Sequence, residues 1–172
     1  MANFDKAFTQ LLKHEDGYSN HQHDKGGETF CGIARNSWPH WEGWKIVDSV
    51  KATGETPKMD LILAAFVRTF FRENYWRRMG QIESQRLAYA LFDTAVQFGY
   101  GRAVETVQRI LGGLDVDGIL GFNTLKALNA ANPDDTVEKI KAWRTERRAK
   151  VIANKPSQSV FANGWKARDE AL

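Results

Sequence analysis

Cysteine is almost missing from this sequence: Cys31 is the only one among 172 residues, so no disulfide can form within the chain. The sequence also has no run of about 18 apolar residues, which excludes a typical membrane-spanning helix. The first residues, M-A-N-F-D-K-A-F, have no basic segment followed by an apolar one, and therefore predict no secretory signal. We accordingly expect synthesis in the cytoplasm without stable membrane insertion, and if the target lies outside the cell, a partner must carry the protein there.

A strong overall charge is missing too, because the formal net charge is only +3. The bases are nevertheless concentrated in residues 139–168, which contain a single acid, Glu146. The bases of this segment are Lys139, Lys141, Arg144, Arg147, Arg148, Lys150, Lys155, Lys166 and Arg168. Such a segment suits an anionic partner such as nucleic acid, a membrane surface or a cell-wall polymer, and it suits a solvated helix face equally well. No nucleic-acid recognition motif accompanies it, so we expect no nucleic-acid partner.

The chain length and the apolar spacing predict one compact, mainly α-helical domain. Asn3 is a plausible N-cap of a first helix that runs to about His14 and places Glu15 in its last turn. The Gly26-Gly27 pair and the alternating residues that follow it favour turns and a short hairpin. The predicted fold class is therefore mainly α, with a small irregular or β-hairpin insertion after the first helix.

Two later helices have clear boundary signals. Ser84 caps a helix that Gly99 ends, and its apolar face is so wide that the helix should be central and buried. Asn132 and Pro133 have the pattern of an N-cap followed by proline at the first helical position, and they open a helix that runs to about Asn154. We place a boundary between an N-terminal lobe, residues 1–83, and a C-terminal helical lobe, residues 84–172, within one compact unit.

Asp60 opens a further predicted helix, which should continue to about Arg78. The apolar side expected for this helix consists of Ile62, Ala65, Phe66 and Phe70. The sequence contains six tryptophans and ten phenylalanines, which is generous for its length. We expect most of these aromatic residues in the core, although flat rings also line saccharide-binding grooves.

Reactive side chains are concentrated in one polar stretch, residues 15–33, which reads E-D-G-Y-S-N-H-Q-H-D-K-G-G-E-T-F-C-G-I. Glycoside cleavage needs a carboxylic acid to protonate the leaving oxygen and usually a second group that stabilises charge or activates water. The negative end of a helix dipole disfavours an ionised carboxylate, so Glu15 suits the first role. If the stretch folds back as a hairpin, Asp24 and Thr29 could face the same cleft, with Thr29 positioning a water and Asp24 acting on it.

The same stretch resembles the signature of the glycoside hydrolase 108 family, whose pattern is close to E-G-G-Y followed by D-x-G-G-x-T-x-x-G-I. The resemblance implies an N-acetylmuramidase with a lysozyme-like helical fold, as in phage endolysins and secretion-associated muramidases. The family's catalytic glutamate corresponds to Glu15. Asp16 stands where the family usually has glycine, and the gap between Asp24 and Thr29 is one residue shorter than in phage-type lysozymes.

The resemblance extends over nearly the whole chain. E-N-Y-W at residues 73–76 and F-D-T-A-V-Q-F-G at residues 92–99 resemble the middle of the family. D-V-D-G-I-L-G-F-N-T-L-K-A-L and the closing G-W-K-A-R resemble its C-terminal peptidoglycan-binding region. The resemblance implies peptidoglycan glycan strands as partner and no cofactor, with a holin or a secretion apparatus for export. For saccharide contacts we select Tyr18, Asn20 and Gln97, although a structural hydrogen bond is at least as good an explanation for Gln97. Asp93 is expected to be structural.

Four other interpretations stay open. His14, His21, His23 and His40 with Asp24 could form a zinc site, although H-x-H alone is a weak signal. D-x-D-G at residues 115–118 hints at a calcium loop, but Lys126 stands where the loop needs glutamate, so a structural turn is the better account. The protein could also be a non-catalytic wall-binding accessory of secretion or lysis, or a lytic transglycosylase, which likewise uses one glutamate.

Overall fold

The computed structural model describes residues 1–15, 17–20 and 27–172. Eight α-helices lie in this described part of the chain: α1 Phe4–Leu12, α2 Gly43–Ala52, α3 Leu61–Phe71, α4 Gln85–Phe98, α5 Tyr100–Leu111, α6 Phe122–Ala130, α7 Pro133–Asn154 and α8 Ala162–Glu170. A π-helical turn spans Arg72–Trp76, and 3-10 helices span Arg77–Gln81 and Pro156–Phe161. The predicted fold class, mainly helical with a small β insertion, is confirmed.

The β insertion is a three-stranded antiparallel sheet of very short strands, β1 Tyr18–Ser19, β2 Thr29–Phe30 and β3 Ile33–Ala34. Strand β2 lies in the middle, with Phe30 opposite both Tyr18 and Ile33. Phe30 and Ile33 are fully buried, so one face of the sheet covers the core. The hairpin predicted for this stretch is therefore present.

The chain divides into two units, of which the first comprises residues 8–73. Its core combines the buried face of the sheet with α2 and α3. Trp41 lies between Phe30 and Phe70: its ring centroid is 6.2 Å from that of Phe30 and 6.3 Å from that of Phe70. It also contacts the Trp44 ring edge-on, with the two centroids 5.1 Å apart. Aromatic contacts of this kind stabilise a small unit beyond what area burial alone provides.

Helix α3 begins as predicted but differs from the prediction in its face and its end. The Asp60 side chain accepts a hydrogen bond from the Leu63 amide at 2.7 Å, which is the N-cap that the sequence indicates. The buried side consists of Leu63, Val67, Phe70 and Phe71, whereas Ile62 is 60% exposed, so most of the predicted apolar face was wrong. The α-helix ends at Phe71, because the backbone changes to π-helical and then 3-10 geometry before residue 82.

The second unit comprises residues 1–7 and 74–172 and is organised around α4. All nine residues from Leu87 to Ala95 are buried, and α4 packs against both α5 and α7. The Ser84 hydroxyl caps α4 at its start, and Gly99 follows its last residue. The Asn132 side chain accepts hydrogen bonds from two amides of the first turn of α7. The predicted central helix is confirmed, and so are the predicted ends of α4 and α7.

Helix α1 begins as expected, since the Asn3 carboxamide accepts a hydrogen bond from the Lys6 amide at 3.0 Å. It ends at Leu12, so Glu15 lies three residues beyond the helix instead of in its last turn. The expected position of Glu15 within the helix was therefore wrong. In the part of the chain that the structure describes, no helix combines the length and apolarity needed to cross a membrane.

The basic segment 139–168 contributes to the interior of the second unit. Arg144 is fully buried, and Arg148 and Arg168 are more than nine-tenths buried. Arg144 Nη1 and Arg168 Nη2 lie 2.8 and 2.7 Å from the two oxygens of Asp93, which is also fully buried. Arg148 pairs with Asp169, which also lies 2.7 Å from Arg144 Nε. Three of the nine bases are therefore internal ion-pair partners, so for them both a solvated helix face and an anionic ligand were wrong.

Candidate active site

Glu15 is the residue around which the candidate site is built. It is partly buried, and its carboxyl group lies directly over the Cα of Gly32, in the turn between β2 and β3. A Cβ added at Gly32 would lie 3.0 Å from Glu15 Cδ and still closer to Oε2. Any side chain at residue 32 would therefore occupy the space that the carboxyl group now fills.

The turn that contacts Glu15 is tightly defined. It consists of Cys31 and Gly32, whose φ angles of 47° and 76° are both positive, as a two-residue type I′ hairpin turn requires. The Cys31 amide donates a hydrogen bond to the Gly17 carbonyl at 2.9 Å, which ties the turn to the segment just after Glu15. The buried side chain of Cys31 and its buried neighbours Phe30 and Ile33 fix the turn from below. The carboxyl group thus rests on a rigid support.

Thr29 lies on the same small sheet, three residues before Gly32. It is paired with Ser19 on one side and Ala34 on the other, so these three residues share the face opposite to Phe30. The structure therefore brings Thr29 into the hairpin that supports Glu15. Asp24 lies outside the described residues, and its predicted role stays a prediction.

Glu28, which we did not select from the sequence, is a carboxylate of the first unit with several side-chain partners. The Tyr18 hydroxyl donates to Glu28 Oε1 at 2.9 Å, and the Lys51 ammonium group donates to the same oxygen at 2.6 Å. Arg35 Nε lies 2.5 Å from Glu28 Oε2, and the Arg35 guanidinium group also binds both oxygens of Asp48. The cluster ties β1 and β2 to α2.

The surroundings of Glu28 keep it ionised. Burial alone would raise the pKa of Glu28, but the hydrogen bonds from Lys51 and Tyr18 and the charges of Arg35 and Lys51 outweigh burial, so the pKa lies below its ordinary value. A carboxylate so heavily paired is a poor proton donor, and we assign Glu28 a structural role. The sequence signal was weak, since a single glutamate before Thr29 has no periodicity that would reveal its partners.

The predicted saccharide-binding residues lie in different surroundings. Tyr18 uses its hydroxyl for Glu28, and the Lys51 ammonium group lies 5.8 Å from the centroid of its ring. Asn20 is exposed after β1. Gln97 belongs to the second unit, where its side-chain oxygen accepts a hydrogen bond from Arg148 Nη2 at 3.0 Å, which favours the structural interpretation. Asp93 is likewise structural, through its pairs with Arg144 and Arg168.

The metal-site interpretations receive no support from the described residues. No group of three or more metal-ligating side chains occurs among residues 1–15, 17–20 and 27–172. His21, His23 and Asp24 lie outside this part of the chain. In the suspected calcium loop, Asp117 Oδ1 accepts hydrogen bonds from the Ile119 amide and from Gln108, both at 2.8 Å, which favours the structural turn.

A partly buried glutamate supported by a small β-sheet, in an otherwise helical chain, defines a lysozyme-like protein. The chain belongs to the glycosyl hydrolase 108 family, since the model of that family matches residues 8–99, more than half of the sequence. Residues 102–170 match a second family model, described as a predicted peptidoglycan domain. The two matches together identify a peptidoglycan hydrolase.

A solved structure agrees with this assignment. The structure of SagA from Brucella abortus is similar to the chain with a TM-score of 0.71 and 27% sequence identity. The similarity covers 97% of this chain and 89% of SagA, so it includes both units. The comparison with curated proteins found no match.

Proposed function

We propose that the protein is an N-acetylmuramidase that hydrolyses the β-1,4 bond between N-acetylmuramic acid and N-acetylglucosamine, with Glu15 as the general acid. In this reaction the carboxylic acid gives its proton to the glycosidic oxygen as the bond from that oxygen to the sugar C1 breaks. A water then adds to C1 and loses a proton. The electron pair of the broken bond stays on the leaving oxygen, the water oxygen supplies the pair of the new bond to C1, and the proton of the water returns to a carboxylate, so no redox partner is required.

The observation that carries the proposal is the contact between Glu15 and Gly32. A general acid has to hold its carboxyl group in one position relative to the scissile bond, because misplacement by about 1 Å costs roughly 100-fold in rate. The carboxyl group of Glu15 rests on a type I′ turn that the Cys31–Gly17 hydrogen bond secures.

Thr29 and Asp24 are proposed helpers of the water step. Support for Thr29 comes from its place on β2, in the hairpin that carries Gly32. Its hydroxyl can accept and donate a hydrogen bond at the same time, which suits a group that orients an attacking water. Asp24 is included on the family resemblance, as the group that would act on that water.

A Glu15→Gln variant tests the acid role, because glutamine has nearly the same shape and no proton to give. We expect clearance of purified sacculi to fall by at least 100-fold, with unchanged thermal unfolding. Glu55→Gln is the matched control, since Glu55 is an exposed glutamate of the same unit. Unchanged clearance by Glu15→Gln would refute the acid role and would favour a non-catalytic wall-binding protein.

Mass spectrometry of the muropeptides released by the unmodified protein tests the reaction type. Hydrolysis leaves a reducing N-acetylmuramic acid end that carries the elements of water. Anhydro-muramic ends would instead identify a lytic transglycosylase, and reducing N-acetylglucosamine ends would identify cleavage of the other glycan bond. We further propose, on the family resemblance, that a holin or a secretion apparatus gives the enzyme access to the wall.

A further inference from the structure

A second candidate binding site lies in the second unit, far along the sequence from Glu15. A cavity of about 490 Å³ opens between the end of α5, the loop at residues 112–121 and the start of α6. Its walls combine polar groups with exposed apolar side chains. The residues that line it are Gln108, Gly113, Leu114, Asp115, Asp117, Ile119, Gly121, Phe122, Asn123 and Thr124.

The loop that forms this cavity is held by one buried glutamine. Gln108 is only 1% exposed, and its side-chain oxygen accepts hydrogen bonds from the amides of Asp117 and Gly118 at 3.1 and 3.0 Å. Its side-chain nitrogen donates to Asp117 Oδ1 at 2.8 Å and to the Ile119 carbonyl at 3.2 Å. Because both ends of the amide are satisfied by the loop, the cavity is formed before any ligand arrives.

The loop also packs closely against α5. Gly118 has a φ of 71°, and a Cβ there would lie 3.1 Å from the Gly101 carbonyl oxygen. Residue 118 is therefore a glycine for two reasons, the backbone conformation and the close approach to α5. A rigid loop of this kind holds its neighbours Ile119 and Phe122 in fixed positions.

Two large apolar side chains of the cavity face solvent. Phe122 is 74% exposed and Ile119 is 62% exposed, while Leu120 and Leu125 beside them are buried at 2% and 6%. This region therefore has a buried core, and Phe122 and Ile119 are exposed although their neighbours are part of it. An exposed ring beside carboxylate, amide and hydroxyl groups is the composition that binds a saccharide, whose apolar face stacks on the ring while its hydroxyls form hydrogen bonds.

The charge of the cavity further restricts the kind of ligand that can bind there. Asp115 and Asp117 line it, and none of the ten lining residues, all in the described part of the chain, is basic. The Ile119 amide and the Gln108 side chain hold the pKa of Asp117 below its ordinary value, so Asp117 stays ionised near neutrality. Two carboxylates without a base repel an acidic stem peptide, but they accept hydrogen bonds from sugar hydroxyls.

We propose that the cavity between α5 and α6 binds the uncharged N-acetylhexosamine part of a peptidoglycan glycan strand, with Phe122 as the stacking platform and Asp115, Asp117 and Asn123 as hydrogen-bond partners. This proposal rests on the proposed function, in which peptidoglycan is the polymer that the protein binds. It adds that the C-terminal region recognises the sugar chain and not the acidic peptide. Such a site would keep the enzyme on the strand between cleavage events.

The test uses the full chain with Glu15→Gln, labelled with 15N, so that the probe is not cleaved during NMR titration. The probe is N-acetylchitotetraose, which is uncharged. We expect the amide signals of residues 117–124 to shift on titration, and we expect Phe122→Ala to weaken this response about tenfold. Phe122→Tyr should retain it, because the ring is kept. Phe161→Ala is the matched control, since Phe161 is a 53% exposed phenylalanine that does not line the cavity.

Two results would overturn the proposal. One is the absence of shifts at residues 117–124, and the other is equal affinity at these residues with and without the Phe122 ring. A muramyl dipeptide, which carries a carboxylate, is the second probe, and a response of the loop to it alone would refute the neutral-sugar assignment. If Phe122→Ala changes thermal unfolding, Ile119→Ser serves as the second cavity variant. Shifts of residues 17–20 and 27–34 report separately on the Glu15 site, so failure of one proposal is distinguishable from failure of the other.

Discussion

The carboxyl group of Glu15 and the Cα of Gly32 are in direct contact, and a Cβ at residue 32 would lie 3.0 Å from Glu15 Cδ. The glycine therefore has two functions. Its positive φ closes the two-residue turn between β2 and β3, and its missing side chain makes room for the proposed catalytic acid. These two functions can be separated experimentally, because only the second one involves Glu15.

Gly32→Ala should reduce activity much more than stability. The alanine methyl group would push the Glu15 carboxyl away, and the flexible end of that side chain can move without disturbing the sheet. We expect sacculus clearance to fall by about 100-fold. The strained φ should cost only about 1–2 kcal/mol of unfolding free energy, measured by urea denaturation.

Gly54→Ala is the control for this substitution. Gly54 has a φ of 82° in the same unit, so alanine there suffers the same kind of backbone strain, but no atom lies within 4 Å of the added methyl group. We expect a similar loss of stability and nearly full activity. Equal activity losses in the two variants would show that strain, and not displacement of Glu15, causes the effect.

The Glu28 cluster predicts a defined pH dependence of stability. Hydrogen bonds and charges from Lys51, Tyr18 and Arg35 hold the pKa of Glu28 below its ordinary value of 4.5. A carboxyl whose folded pKa is lowered contributes stability above its unfolded pKa, and this contribution is lost as the pH falls through the folded pKa. Glu28→Gln should therefore destabilise the protein by about 1–3 kcal/mol at pH 7 and by progressively less in acid.

Urea denaturation at a series of pH values between about 7 and 3 measures this effect. The difference in unfolding free energy between the unmodified protein and Glu28→Gln should shrink toward the acid end. Glu55→Gln should leave the whole pH profile unchanged, because Glu55 is exposed. A destabilisation by Glu28→Gln that stays constant down to pH 3 would contradict the proposed ionisation of Glu28.

The sequence alone was sufficient to predict features that depend on residues close together in the chain. Caps at Asn3, Asp60, Ser84 and Asn132 were predicted correctly, because each is a side chain that binds amides two or three residues further on. The hairpin after the first helix was also predicted, since glycine pairs and alternation are short-range signals. The contact of Glu15 with the turn at Gly32 joins residues 17 positions apart, and no such signal reports it.

Other features depend on tertiary packing, which the spacing of residues along the chain does not reveal. Spacing alone placed Ile62 on the buried side of α3, yet it is 60% exposed, because apolar residues occur on several sides of that helix and only tertiary packing selects one. Nothing in the sequence around Arg168 distinguishes it from a surface arginine. Its partner is Asp93, 75 residues earlier, so the ion pair joins the F-D-T-A-V-Q-F-G segment to the closing G-W-K-A-R segment.

Asp93 is the carboxylate on which this internal cluster depends. It is fully buried between two guanidinium groups, those of Arg144 and Arg168. Asp169 provides the remaining negative charge, for Arg144 and Arg148. Removing one partner from a buried ion pair is much more costly than forming the pair is favourable, because the charge left behind stays desolvated.

We therefore expect Asp93→Ala to destabilise the second unit by about 3–5 kcal/mol, since the buried guanidinium groups of Arg144 and Arg168 would each lose one carboxylate neighbour and only Asp169 would remain beside Arg144. Asp93→Asn should have an intermediate effect, because the amide oxygen can still accept a hydrogen bond from one arginine. Asp134→Ala is the surface control: Asp134 pairs with Arg86, but its side chain is 74% exposed, so the loss should stay below about 1 kcal/mol. Urea denaturation at neutral pH measures all three. A loss for Asp93→Ala as small as that for Asp134→Ala would mean that the arginines find water or new partners, and would contradict the dependence of the cluster on Asp93.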